Sequence, residues 1–79
     1  MPLVTLYTRA GCHLCDDAKK VIADARRRVS FDYEERDIET DADLRRLYTD
    51  EVPVIAIDGR KAFKYRVEVR EFLERLARR

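Results

Sequence analysis

The run Val52-Pro53-Val54-Ile55-Ala56-Ile57 is the feature that most limits what this chain can fold into. Glu51 and Asp58 close it at its two ends. Elsewhere charge is dense, with 42% of residues charged against about 25% in an average globular chain. Six consecutive apolar residues in that background read as a central strand covered on both faces. Such a strand needs helices or further layers packed against its sheet. Proline is tolerated there only at the strand's start, where it removes no ladder hydrogen bond. The Val52-Pro53 bond then invites the cis form; the plainer reading is that Pro53 only marks where the strand begins.

Seventy-nine residues make one domain, covering 1–79. The hydrophobic share of 46% is that of a folded globular chain. Seventeen basic side chains stand against 16 acidic ones, a net charge of +1. That balance supplies no long-range field for nucleic acid. The local runs Arg26-Arg27-Arg28 and Arg78-Arg79 read as solvated helix ends. No apolar stretch approaches the roughly 18 residues that would suggest a membrane span. The opening MPLVTLY lacks the basic region and cleavage pattern of a signal peptide. The expected location is therefore cytoplasmic, with no membrane partner. Thiols there are kept reduced, and a disulfide that forms is usually transient and catalytic.

The rest of the chain punctuates into short elements. Residues 3–8, LVTLYT, are β-branched and aromatic enough for a strand. From Leu14 onward, Cys15, Ala18, Val21, Ile22, Ala25 and Val29 recur at three and four, one face of a helix. Asp16 and Lys20 form a favourable i, i+4 pair on its other face. In SFDYEERDI, Phe31 and Tyr33 alternate with polar residues, as in an edge strand. Thr40 and Asp43 suggest a weak capping box before a short helix whose stripe is Leu44, Leu47 and Tyr48. Asp58-Gly59 is a hairpin turn signal, and KAFKY returns as a fourth strand. Val69, Phe72, Leu73, Leu76 and Ala77 fall at helical spacing. Acids come early in that segment and bases late, as the helix dipole favours. The order is β-α-β-α-β-β-α. It closes most simply as a four-stranded mixed sheet with helices on its faces.

Cys12 and Cys15 fall between the first strand and the first helix. A thiol at a helix N-terminus meets unpaired N–H groups and a positive dipole, and both favour its thiolate. Position alone makes Cys12 the attacking sulfur. Cys15, on the face of Leu14 and Ala18, is expected to be the more buried and to resolve a mixed disulfide on Cys12. Arg9 adds positive potential nearby, while Asp16 and Asp17 oppose it. A C-x-x-C pair placed in a β-α-β pattern is the thioredoxin-like redox signature.

With these segments in place, the chain resembles a glutaredoxin, in the thioredoxin superfamily. YTRAGCHLC is similar to the family's opening: a strand ending Tyr-Thr, a basic residue, two residues, then C-x-x-C. EVPVIAIDG resembles its second landmark, Thr-Val-Pro followed by an apolar strand and a turn. The element order agrees along essentially the whole chain. The resemblance implies a thioredoxin-like (glutaredoxin-type) α/β fold, βαβαββα, four strands flanked by three helices. It implies dithiol exchange on protein disulfides or glutathione mixed disulfides, with Cys12 as nucleophile and Cys15 resolving. It implies no bound cofactor, with glutathione one candidate electron donor. Arg9 stands where the family has a glutathione-contacting base. The backbone of Val52, before Pro53, would pair with a substrate cysteine or with glutathione.

The chain departs from that pattern in two places. His13-Leu14 replaces the usual Pro-Tyr between the cysteines. The His13 imidazole could tune Cys12 or hydrogen-bond a leaving thiolate; the plainer reading is an exposed residue at the helix start. The family's Gly-Gly and acidic pair fall at Phe63-Lys64 and Arg66-Val67, where neither is present. The stretch YRVEV is similar instead to the Phe-Arg-Pro-Asp segment of glutaredoxin-like donors to ribonucleotide reductase. Those donors are recharged by thioredoxin reductase, so glutathione and thioredoxin reductase both stand as reductants.

Two other classes of function stand beside exchange. Cys12, His13 and Cys15 are too few for a closed zinc site, which needs four ligands, although two chains could supply two cysteines each. A non-catalytic module could instead hold an extended peptide near Pro53, with Tyr48, Phe63 and Tyr65 lining the surface. Edge strand and balanced charge are compatible with a monomer.

Overall fold

The computed structural model describes residues 1–78. Arg79, the end of the second basic run, lies outside the described residues. The elements are β1 (Leu3–Thr8), α1 (His13–Arg26), β2 (Asp32–Asp37), a 3-10 turn (Ile38–Thr40), α2 (Ala42–Tyr48), β3 (Val54–Ile57), β4 (Arg60–Lys64) and α3 (Val69–Ala77). The sheet order is β2-β1-β3-β4. β1 runs parallel to β2 and antiparallel to β3, and β3 pairs antiparallel with β4. This is the mixed sheet the element order predicts, with the polar β2 at one edge.

Every residue of β3 is buried. The strand begins at Val54, not Val52, because Pro53 has no N–H to give to a ladder. The Pro53 carbonyl instead accepts from Tyr65 N at 2.9 Å, and the Val52–Pro53 bond is cis. The β3–β4 turn has Asp58 at φ 52° and Gly59 at φ 85°, two consecutive left-handed residues of the kind a tight two-residue hairpin demands. Asp58 is also tied to the start of β1: its N–H donates to Leu3 O at 2.8 Å, and its carboxylate accepts from Leu3 N at 2.9 Å.

The main core lies between the sheet and the α1–α3 layer. Val4, Leu6, Ile55 and Ile57 meet Ala18, Ile22, Ala25, Phe72 and Leu76 there. Phe72 is fully buried, with ring centroids 5.8 Å from Phe31 and 6.2 Å from Phe63. Tyr7 alternates with Leu6 and so faces the opposite side of the sheet. Its ring lies 4.9 Å from that of Tyr48 and brings α2 onto that face.

Several local expectations are corrected. α1 stops at Arg26, so Val29 no longer continues its stripe and is 42% exposed. The cap of α2 is Asp41, whose carboxylate accepts from Asp43 N at 2.9 Å and Leu44 N at 3.2 Å. Thr40 is taken up by the 3-10 turn, its hydroxyl donating to Asp37 O at 2.7 Å. α2 is short and buries no residue fully: Leu44 and Tyr48 are half-buried, while Leu47 is 61% exposed. Ala77 closes α3 exposed. Among the described residues Lys19 pairs with Glu35 at 3.6 Å, and Asp16–Lys20 is not an ion pair. Arg27 and Arg28 both pair with Asp24. Arg26 lies over the rings of Phe31 and Tyr33, at 5.8 and 5.5 Å, and all three arginines of the run are exposed, as expected of a solvated helix end. Among the described residues no helix is long and apolar enough to cross a membrane.

Candidate active site

The Tyr7–Val54 pairing sets the end of β1 beside the start of β3. The loop carrying Cys12 and the Val52-Pro53 loop therefore emerge at the same end of the sheet. Gly11, at φ +75°, turns the chain from β1 toward α1. A side chain there would meet no atom within 4 Å, so the demand on this position is conformational.

Cys12 is the N-cap of α1, extended at φ −99° and ψ 109°. Its sulfur accepts the backbone N–H of Cys15 at 3.0 Å, the place usually held by a serine or aspartate oxygen. Cys12 and Cys15 are disulfide-bonded with their Cα atoms 5.1 Å apart. Cys12 is half-buried, whereas Cys15 is 1% exposed and packs into the helix's inner face. The pair is thus asymmetric: one sulfur is reachable from solvent and the other lies behind it.

The Val52-Pro53 loop is held from β4's end. Tyr65 donates its N–H to Pro53 O at 2.9 Å and its hydroxyl to Asp50 O at 2.8 Å. Tyr65 adopts φ 67° to do this and remains 43% exposed. Pro53 is buried and Val52 half-buried. Glu51 pairs with Lys61 at 2.6 Å. The hydrogen bond from Lys61 holds the Glu51 carboxyl below its ordinary pKa, and the same bond raises that of Lys61. A cleft of about 210 Å³ runs between α1 and this segment, lined by Leu14, Asp17, Ala18, Tyr65, Arg66 and Val67.

Residues 3–77 match the family described as Glutaredoxin-like domain (DUF836). The chain belongs to this glutaredoxin-like family of the thioredoxin superfamily. The match takes in both cysteines and the Val52-Pro53 loop. The X-ray structure of XcR50 from X. campestris is 31% identical, with TM-score 0.81, and the alignment covers 96% of this chain and 97% of that one. Ne2328 from Nitrosomonas europaea is 26% identical, with TM-score 0.82, over 95% of this chain and 91% of that one. The T8A mutant of BC3987, described as a thioredoxin-like protein, is 26% identical, with TM-score 0.64, over 95% and 94%. A curated relative, the uncharacterized protein Rv0508 of Mycobacterium tuberculosis, is 30% identical over 98% of this chain and 84% of its own length.

Within the family's fold, the residues singled out from sequence gather at one sheet end: Arg9, Cys12, His13, Cys15, Val52 and Pro53. His13 is the exposed first residue of α1. Arg9 is already engaged. Its guanidinium donates to Thr49 O at 3.0 Å and to the Glu39 carboxylate, which Arg45 also approaches at 3.5 Å. The Arg9 hydrogen bond, with Arg45 behind it, holds the Glu39 carboxyl below its ordinary range. The positive potential expected from Arg9 is thus matched by an adjacent negative charge. Of the three aromatics considered for a docking surface, Phe63 packs on Phe72 and Tyr48 stacks on Tyr7 under the Lys61 ammonium. Of the three only Tyr65 is exposed.

Sequence reasoning missed Glu39, Thr49 and Asp50 as supports of the site. Their contacts span 30, 40 and 15 positions, and no local period carries such a signal. It also missed Thr8. The hydroxyl of this residue, just before the cysteine loop, is buried with no hydrogen-bond partner among the described residues.

Proposed function

We propose that the chain is a dithiol thiol–disulfide oxidoreductase, reducing protein disulfides or glutathione mixed disulfides. The observation that supports this reading best is the asymmetric pair: a reachable Cys12 capping α1, bonded to a buried Cys15 one turn on. Once reduced, Cys12 faces the unpaired N–H groups and positive dipole end of a 14-residue helix, which favour its thiolate. The N–H of Cys15 already points at that sulfur.

The Cys12 thiolate attacks one sulfur of the substrate disulfide. The substrate S–S bond breaks, the first substrate thiolate leaves and takes a proton from solvent, and a mixed disulfide forms on Cys12. Cys15, giving up its own proton, attacks Cys12 Sγ. The mixed disulfide breaks, the second substrate thiolate leaves and is protonated, and the Cys12–Cys15 disulfide remains. Two electrons have passed to the substrate. An external thiol donor, glutathione or thioredoxin reductase, returns them by the reverse exchange. The backbone of Val52 pairs with the substrate chain beside Pro53, and His13 borders the leaving thiolate. The protein works as a cytoplasmic monomer without a bound cofactor.

The test is exchange activity of Cys12→Ser and Cys15→Ser. The first is expected to be inactive. The second is expected to accumulate a substrate adduct on Cys12, visible by intact mass. An active Cys12→Ser protein would overturn the reading. Coupling the cycle to glutathione with glutathione reductase, or separately to thioredoxin reductase, decides the reductant.

A further inference from the structure

A second concavity lies at the sheet end opposite the cysteines. It has a volume of about 510 Å³ and is lined by Ile57, Asp58, Arg60, Arg75 and Arg78. Ile57 pairs with Val4 near the beginning of β1, whereas Cys12 follows that strand's other end. The thiol exchange described above makes no use of this cleft.

Three arginines from two elements line it. Arg60 is the first residue of β4, Arg75 stands in the last turn of α3, and Arg78 caps that helix. Among the described residues none of the three has a carboxylate partner. Elsewhere Arg9, Arg27, Arg28, Arg45 and Arg46 form ion pairs, whereas Arg26, Arg36, Arg66 and Arg70, like these three, form none among the described residues. Asp58, the one acid on the rim, holds its carboxylate against the N–H of Leu3. The dipole of α3 accounts for bases at that helix's C-terminus. It does not account for Arg60, which arrives from the hairpin on the other side. Like charges gathered at one concavity raise its potential and concentrate anions there.

We propose that this cleft binds a phosphate group, either as inorganic phosphate or as the end of a phosphoester. A guanidinium presents a planar fork of donors that matches phosphate oxygens two at a time. One such fork saturates a carboxylate. Three forks call for a group with more oxygens and more charge, which phosphate has. The volume leaves room for an organic portion over Ile57.

The experiment is an amide and arginine side-chain NMR titration of the full chain at low ionic strength. Inorganic phosphate and phenyl phosphate are the two probes, with sodium chloride as the matched control. Saturable shifts are expected at Arg60, Arg75 and Arg78, with none around Cys12. Arg60→Gln is expected to weaken binding by about tenfold, the size of one lost charge-assisted hydrogen bond. All three arginines are exposed, so the glutamine variants keep the fold. Tighter binding of phenyl phosphate supports a phosphoester ligand; equal or tighter binding of the inorganic ion supports free phosphate. Shifts that never saturate with either probe overturn the proposal. So does an Arg60→Gln protein that binds both probes as the parent does.

Discussion

Arg9 and Glu39, 30 positions apart, form an ion pair beside the cysteine loop. The other arm of the same guanidinium reaches Thr49 O at 3.0 Å, immediately before the 50–53 loop. One side chain thus joins three segments around Cys12: the β1–α1 loop, the 3-10 turn and the end of α2. It is placed to fix the distance between the Cys12 sulfur and the Val52-Pro53 edge.

That geometry separates two roles for Arg9, charge and attachment. Lysine keeps the charge but has no fork to serve both Glu39 and Thr49. If attachment matters, Arg9→Lys lowers the exchange rate toward that of Arg9→Gln, and KM for a protein disulfide rises more than kcat falls. Steady-state kinetics of the two variants decide the point. A lysine variant indistinguishable from the parent would assign Arg9 to charge alone.

Glu39 and Glu51 also set a pH dependence of stability. Each is held below its ordinary value of 4.5 by its basic partner. A depressed carboxyl contributes stability that is fully present above the unfolded pKa and lost as pH falls through the folded one. Stability is therefore expected to decline as pH drops from about 4.5 downward. The decline should flatten in Glu39→Gln and in Glu51→Gln. Lys61 has the opposite sign: its pKa is raised by Glu51, so its contribution is lost as pH rises through the folded value. These groups are solvent-screened, and added salt should shrink both effects. Denaturant melts across pH, at two salt concentrations, measure them. Identical slopes in the parent and both glutamine variants would show that the pairs do not hold in solution.

The fold was legible wherever burial imposed a period. Residues 3–8, the continuous run through Ile57, and Phe72 with Leu76 each lie where their spacing puts them. Asp58-Gly59 announced its turn because few residues accept two positive φ angles in succession. α2 is less legible, since a seven-residue helix with one of its three stripe residues, Leu47, in water has a weak period. Its cap was misplaced by one residue because threonine and aspartate both cap, and tertiary context chose Asp41. At the site, Cys12, Cys15 and Pro53 carried their own signal. The clasp of Tyr65 did not: a left-handed tyrosine is a tertiary outcome that nothing in its neighbours announces.

Phe72 offers the sharpest test of the core. It is fully buried, bridges Phe31 and Phe63, and joins α3 to the sheet. Phe72→Ala is expected to cost about 3–5 kcal/mol, the usual loss for an aromatic removed from a packed interior. A domain of this size has about 5–15 kcal/mol in all, so the variant should melt at far lower urea. A loss under about 1 kcal/mol would mean that α3 is not docked as described.

Thr8 gives a prediction of the opposite sign. Its hydroxyl is buried and, among the described residues, unpartnered, and leaving a buried polar group unsatisfied costs about 1–3 kcal/mol. Valine keeps nearly the same shape, suits a strand and removes the hydroxyl. In the disulfide form, Thr8→Val should therefore raise the urea midpoint, by an amount corresponding to about 1 kcal/mol or more, with an unchanged slope. The measurement must be made with the Cys12–Cys15 bond intact, because the orphaned hydroxyl belongs to that state. A destabilisation of about 1 kcal/mol would instead reveal a partner for Thr8, such as an ordered water, and place this residue among the supports of the cysteine loop.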